Sequence, residues 1–189
     1  PELSWEQAAG VSDVETGAPM TLAHRFRIAS VTKLFVATVV LRLVDEGAFE
    51  LDGEVGLIEG GVTVRQLLNH TSGLPHGVEL DELLAPYREN LVHRPEWTPR
   101  EMLAVIESRP RLSAPGEGWF YSGSNYVVLG LLVEETTGAS LSEELRRRIF
   151  DPLGLADTEL PELSSTPAGL ARGYLPADNP LLPGPGPEP

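Results

Sequence analysis

The 14 basic side chains of this chain comprise thirteen arginines and one lysine, and that lysine, Lys33, stands three residues after Ser30 in the run Ser30-Val31-Thr32-Lys33. Arginine stays protonated at physiological pH, whereas a desolvated lysine can release its proton and act as a base. A serine hydroxyl is a weak nucleophile unless a base lies within hydrogen-bond reach. If the segment from Val31 onward is helical, positions three apart share a face, and the Lys33 amine reaches the Ser30 oxygen at the helix start. The chemistry this permits is attack of Ser30 on a carbonyl carbon. The competing reading is that a chain biased towards arginine left one lysine on a helix surface, since Ser-x-x-Lys arises by chance about once in an average chain of this size.

The flanks must position the pair. Phe26-Arg27-Ile28 reads as a short extended run entering Ala29-Ser30, after which Val31, Leu34, Phe35, Thr38, Val39, Arg42 and Leu43 recur largely at helical spacing. Val36, Ala37, Val40 and Leu41 add apolar residues on the other faces, so the helix is expected to run through the core and to desolvate Lys33 in part. Gly47, after Asp45 and Glu46, is the expected left-handed stop.

Elsewhere, Leu3–Ala9 and Val11–Val14 read as short strands, with Glu15-Thr16-Gly17 as turn chemistry before Ala18-Pro19. Thr63 is placed to cap a helix ending near His70, and Thr98-Pro99-Arg100-Glu101 is a capping box opening a helix through Ser108. Ser124 opens an apolar helix to Thr137 with Gly138 as its stop, and Ser140-x-x-Glu143 caps another through Phe150. The region from His76 to Pro95 reads as an insertion, helical in part, near the mouth of the site. The tail, 179–189, holds five prolines and cannot pack as an element.

Three stretches together carry a resemblance: Phe26-Arg27-Ile28-Ala29-Ser30-Val31-Thr32-Lys33, Leu-Val-Asp-Glu-Gly at 43–47, and Val64-Arg65-Gln66-Leu67-Leu68-Asn69-His70-Thr71-Ser72-Gly73-Leu74. They resemble the serine beta-lactamase-like hydrolases, among them class C beta-lactamases, D-alanyl-D-alanine carboxypeptidases, D-aminopeptidases and related esterases. With Tyr121 and the helix after it, the resemblance covers most of residues 5 to 175. It implies an α/β (α+β) fold of the beta-lactamase/transpeptidase type, with helices packed on an antiparallel sheet. It also implies that Ser30 is the acylated nucleophile, Lys33 its partner, and Tyr121 the tyrosine that shuttles protons with the lysine.

Two departures accompany it. The family's second motif reads Tyr-x-Asn, but here Tyr121-Ser122 is followed by Gly123, and Asn125 lies two positions too late. Either Ser122 or Ser124 substitutes, or the amide contact to substrate is missing; Gly123 and Asn125 remain candidate substrate-binding positions. The third motif, His-x-Gly or Lys-x-Gly on a late strand, is absent, since His76-Gly77 and His70-Thr71-Ser72-Gly73 come too early. Residues 1–178 therefore read as the front portion of a catalytic domain whose sheet is incomplete. Two functions follow. One is a serine hydrolase acting through an acyl-serine on a peptide, ester or lactam carbonyl. The other is a truncated or degenerate relative that binds a ligand or partner without turnover.

Length and charge bound the rest. One domain is the natural expectation for 189 residues with 41% apolar side chains. A formal net charge of −14 argues against nucleic acid and anionic membrane surfaces as partners, leaving a small-molecule or peptide substrate, and a missing C-terminal segment, second chain or self-association to complete the site. There is no cysteine, so neither a disulfide nor a cysteine-ligated metal can form. His24, His70, His76 and His93 lack metal-ligand spacing and read as structural, so no metal or other cofactor is expected. No apolar run spans a bilayer free of charge, because Lys33 and Arg42 interrupt the longest. The first residue, Pro1, leads to the expectation of an upstream segment, a signal peptide being one form of it. The resemblance is compatible with an extracytoplasmic setting, which the residues themselves do not decide.

Overall fold

The computed structural model describes residues 5–77, 83, 85, 97–161 and 167–174. Most of the 76–95 insertion, His93, Leu3, Ser4 and the 179–189 tail lie outside them. Strand β1 (Val11–Asp13) pairs antiparallel with β2 (Ala18–Pro19), Val11 opposite Pro19 and Asp13 opposite Ala18. The turn between them is built by Asp13, whose Oδ1 accepts from the backbone N–H groups of Glu15 (2.8 Å) and Thr16 (3.2 Å). Residues 5–9 form no strand, so the hairpin is shorter than the first expected strand implies. The returning segment widens this layer, as Arg25 bridges Leu170 in parallel and Ala171 N–H donates to the Arg25 carbonyl at 2.9 Å.

Helices carry the core. Ser30 sits in a 3₁₀ turn, Ala29–Val31, that runs directly into α1 (Thr32–Asp45). Helix α2 (Val64–Leu68) starts on Thr63 and α3 (Pro99–Glu107) on Thr98, each a reciprocal capping box with the third helical residue. Helix α4 (Ser124–Thr137) ends on Gly138 at φ 72°, and α5 (Leu141–Leu145) starts on the Ser140–Glu143 box. A π-helical turn, Arg146–Phe150, continues α5. Each cap satisfies backbone N–H groups that would otherwise lack partners, worth about 1 kcal/mol.

The centre is α4, which packs on α1, α2, α3 and α5. Val128, Leu129, Leu131 and Val133 of α4 meet Val36, Val39, Val40 and Leu43 of α1 in one buried cluster with Leu67, Ile106, Leu145 and Phe150. At roughly 1.5–3 kcal/mol per buried large apolar side chain, this cluster is the main source of stability. Gly130 lets α5 come close, since a Cβ there would stand 3.1 Å from Leu141 Cδ2.

Helix α1 differs from its expected all-round burial. Only the Val36, Val39, Val40 and Leu43 face is buried, while Leu34 and Leu41, and Val31 just before the helix, are 69%, 44% and 51% exposed. The physical reason is one-sided packing: α4 and α5 cover one face, and among the described residues nothing covers the other. The core of this chain is accordingly helix on helix, with the antiparallel hairpin beside it.

Candidate active site

The 3₁₀ turn places Ser30 at the head of α1 with its backbone under constraint. Ala29, immediately before it, has φ 43°, a left-handed conformation that non-glycine residues seldom adopt and that concentrates at functional sites. From the first turn of α1, Lys33 Nζ lies 3.1 Å from Ser30 Oγ. From the loop leading into α4, the Tyr121 hydroxyl donates to the same oxygen at 2.8 Å. The Lys33 nitrogen also stands 5.0 Å from the Tyr121 ring centre and 5.6 Å from that of Tyr126, so two aromatic faces shield it from water. Ser30, Lys33 and Tyr121 thus converge on one oxygen. Ser30 is exposed, Lys33 half-buried and Tyr121 40% exposed, so the hydroxyl opens outward.

Electrostatics follow from this geometry. The Lys33 side chain beside it, and then the Ser30 hydroxyl, hold the Tyr121 phenol below the ordinary tyrosine value of 10.0. One turn into α4, burial pushes Tyr126 the other way, and its hydroxyl donates to the Leu68 carbonyl at 3.2 Å. The two tyrosines beside the lysine are therefore shifted in opposite directions.

The residues around the departed second motif are committed elsewhere. Ser122 and Ser124 are buried, and their hydroxyls donate to the Pro75 carbonyl at 2.9 and 2.6 Å. Asn125 is fully buried: its Oδ1 accepts from Ser72 Oγ at 2.5 Å, and its Nδ2 lies 3.0 Å from His70 Nδ1. These three side chains bind the 72–77 loop to α4 rather than facing the opening at Ser30. Gly123 differs. Its backbone N–H donates to His76 Nδ1 at 3.2 Å, and it borders a groove of about 280 Å³ with Ala29, Lys33, Tyr126 and Met102.

Two residues of the site were not singled out by the spacing of its motifs, His70 and Tyr126. The imidazole of His70 is tilted against the Tyr121 ring with centres 4.6 Å apart, and lies 5.5 Å from Tyr126 and 6.2 Å from Trp119. Its place within the Leu67–Leu74 stretch was the available signal. Tyr126 carried none beyond an aromatic residue in the first turn of an apolar helix. Gly73 of the same stretch has a steric role. At φ 75°, a Cβ there would fall 2.1 Å from the Ser113 carbonyl oxygen. Among the described residues, no three histidine, aspartate or glutamate side chains are grouped to hold a metal ion, and no helix is long and apolar enough to cross a membrane.

The sequence and the fold have counterparts. Esterase EstB of Burkholderia gladioli is 37% identical in an alignment that covers 82% of this chain and 43% of the esterase. D-amino acid amidase from Ochrobactrum anthropi SV3, solved with L-phenylalanine, superposes with a TM-score of 0.80 at 34% identity, over 94% of this chain and 50% of that one. The octameric penicillin-binding protein homologue from Pyrococcus abyssi superposes with a TM-score of 0.66 at 33% identity, over 78% of this chain and 35% of that one. The chain spans less than half the length of the curated relatives it matches. Residues 2–189 match the family model described as Beta-lactamase, and the chain belongs to the beta-lactamase family.

Proposed function

We propose that this chain carries a serine hydrolase site in which Ser30 takes up the acyl group of an ester or amide. The observation that supports it best is the convergence of Lys33 Nζ (3.1 Å) and Tyr121 OH (2.8 Å) on Ser30 Oγ. In the acylation step Lys33 acts in its unprotonated form: the Oγ–carbon bond forms as the hydroxyl proton passes to its free amine. Tyr121 hands a proton to the departing oxygen or nitrogen as its bond to the acyl carbon breaks. Water then attacks the acyl-serine, giving its proton to the same pair, and Ser30 recovers a proton as the ester opens. The backbone N–H of Ser30, at the head of α1, is the donor this chain offers to the developing oxyanion. Gly123, lacking a side chain, leaves room for substrate beside Lys33, and Asn125 acts from behind through His70.

The esterase and the amidase among the relatives support ester and amide carbonyls as the substrate class. Assembly belongs to the same reading. The exposed Val31, Leu34 and Leu41 face of α1 and the octameric relative support coverage of this face by a further segment or a second copy. A sedimentation profile of a monodisperse monomer would argue against self-association.

The test of the chemistry is covalent labelling with a fluorophosphonate probe, read by intact mass and by the modified peptide. The expected result is one adduct on Ser30 that disappears in Ser30→Ala while the melting temperature is retained, because the side chain is small and lies at a helix start. An adduct that survives Ser30→Ala overturns the assignment. A p-nitrophenyl ester, a D-amino acid amide and nitrocefin, offered in parallel, then sort the carbonyl type.

A further inference from the structure

His70 is held more firmly than a surface histidine needs to be. Its φ is 64°, one of two positive values at non-glycine positions among the described residues, the other being Ala29 beside the nucleophile. Its own carbonyl accepts the Phe120 N–H at 3.0 Å, which ties the loop that carries Tyr121 to the backbone of His70.

The hydrogen-bond polarity at the ring is dictated by groups that cannot reverse. The backbone N–H of Ser122, only a donor, points at Nδ1 from 3.2 Å, so Nδ1 must accept and bears no proton. The chain of donors behind it agrees. Leu74 N–H donates to Ser72 Oγ (3.1 Å), and Ser72 Oγ donates to Asn125 Oδ1 (2.5 Å). That leaves the Asn125 Nδ2 hydrogens to face His70 Nδ1 at 3.0 Å. Two donors thus converge on one ring nitrogen, and the proton of the neutral imidazole resides on Nε2.

The charged and titratable groups around the ring oppose a second proton. Lys33 of α1 and His76 of the adjoining loop both disfavour it, and Tyr121 and Tyr126 offer ring faces at 4.6 and 5.5 Å. Burial first, then the Lys33 charge, push His70 below the ordinary histidine value of 6.5.

We propose that His70 is a positioning residue for the Tyr121 phenol: its neutral imidazole, fixed at Nδ1 by the Ser122 N–H and the Asn125 amide, is the platform that sets the Tyr121 ring towards Ser30. The inference rests on Ser30 being the nucleophile only where labelling is the readout. A proton on Nδ1 would meet two donors, break both contacts and release the ring. The site would then lose its tyrosine as His70 titrates.

The test compares the full chain with its His70→Asn variant. Asparagine tolerates the left-handed backbone, and its Oδ1 occupies the place of Nδ1, so the Ser122 contact and the fold are retained while the ring platform and its titration are removed. Misplacing the phenol is expected to slow fluorophosphonate labelling of Ser30 on the order of ten- to a hundred-fold near neutral pH. It should also make the acid limb of the rate–pH profile less steep than in the wild type. Superimposable rates and limbs overturn the proposal. Ultraviolet titration at the phenolate band supplies a readout that needs no chemistry at Ser30. In His70→Asn the Tyr121 transition should move up towards the ordinary tyrosine value, and an unmoved transition overturns the proposal even if labelling itself fails. Should the variant not fold, nitrogen-15 spectra of the wild-type ring decide. An unprotonated Nδ1 and a protonated Nε2 at neutral pH support the assignment, and the reverse tautomer overturns it.

Discussion

Tyr121 and Ser30 lie 91 positions apart in sequence, yet the phenol of one donates to the hydroxyl of the other at 2.8 Å. The contact depends on α4 lying against α1 in the core, because that packing brings the loop before α4 to the head of α1. Removing the phenol alone isolates its contribution. Tyr121→Phe keeps the ring against His70 and should slow Ser30 acylation on the order of 10² to 10⁴-fold, the range of a general acid–base group. A rate within a few-fold of the wild type would leave Tyr121 a structural residue.

The same tyrosine can be seen without a substrate. The neighbouring Lys33 and Ser30 side chains favour its phenolate, while burial disfavours that of Tyr126. Absorbance titration should show an early transition that is absent from Tyr121→Phe and a late one that is absent from Tyr126→Phe. Loss of the early transition in Tyr126→Phe instead would reverse the electrostatic assignment.

Lys33 is tested by the residue this chain uses elsewhere. Lys33→Arg keeps a cation near Ser30 but replaces an amine that can lose its proton and then act as a base with a guanidinium that cannot. Acylation should fall by a few orders of magnitude, on the scale of losing an acid–base group. A near-normal labelling rate would make the lysine an electrostatic partner only.

A buried ion network ties α1 to α5. Glu144 and Arg148, 3% and 8% exposed at their side chains, are joined by a hydrogen bond, and Arg148 also reaches Glu46 just past the end of α1. Burial alone would raise Glu144, but bonds from Arg148 and Arg147 outweigh it and hold the carboxyl below its ordinary 4.5; the Arg148 bond lowers Glu46 likewise. Carboxyls lowered by folding stabilise the native state above their unfolded value, and that contribution is lost as pH falls through the folded values. Glu144→Ala removes the buried partner of Arg148 and leaves it only the half-exposed Glu46, so it should cost up to about 3 kcal/mol at neutral pH, the lower end of the range for breaking a buried pair. Denaturant melts should show the difference from wild type shrinking as the pH falls below the ordinary carboxyl value of 4.5. A difference independent of pH would place the cost in packing.

Gly73 and Gly138 make a matched pair, with φ 75° and 72°. At Gly138 a Cβ meets nothing within 4 Å, whereas at Gly73 it would collide with the Ser113 carbonyl. Gly138→Ala should cost about 1 kcal/mol, the backbone penalty alone. Gly73→Ala should exceed it, reaching the range of about 4 kcal/mol seen for the most damaging substitutions. Equal melting temperatures for the two variants would remove the steric account of the motif glycine.

Much of this protein is written locally. The three capping boxes, the left-handed stops at Gly47 and Gly138 and the Ser30–Lys33 pair depend on neighbours within about one helical turn, where side-chain type and spacing suffice. Tyr121 could be placed beside them only through family resemblance, since no local pattern points from position 121 to position 30. What tertiary structure alone decided is which side chains meet after α4 docks. Asn125 turned into a buried amide between Ser72 and His70, Ser122 and Ser124 were taken by the Pro75 carbonyl, and His70 became a wall of the site. The one-sided burial of α1 belongs here too, because its apolar residues encircle the helix while its packing partners do not. Hydrogen-bond polarity and burial between segments far apart in sequence arise only once the chain has closed, and they separate the side chains open to substrate from those that hold the fold.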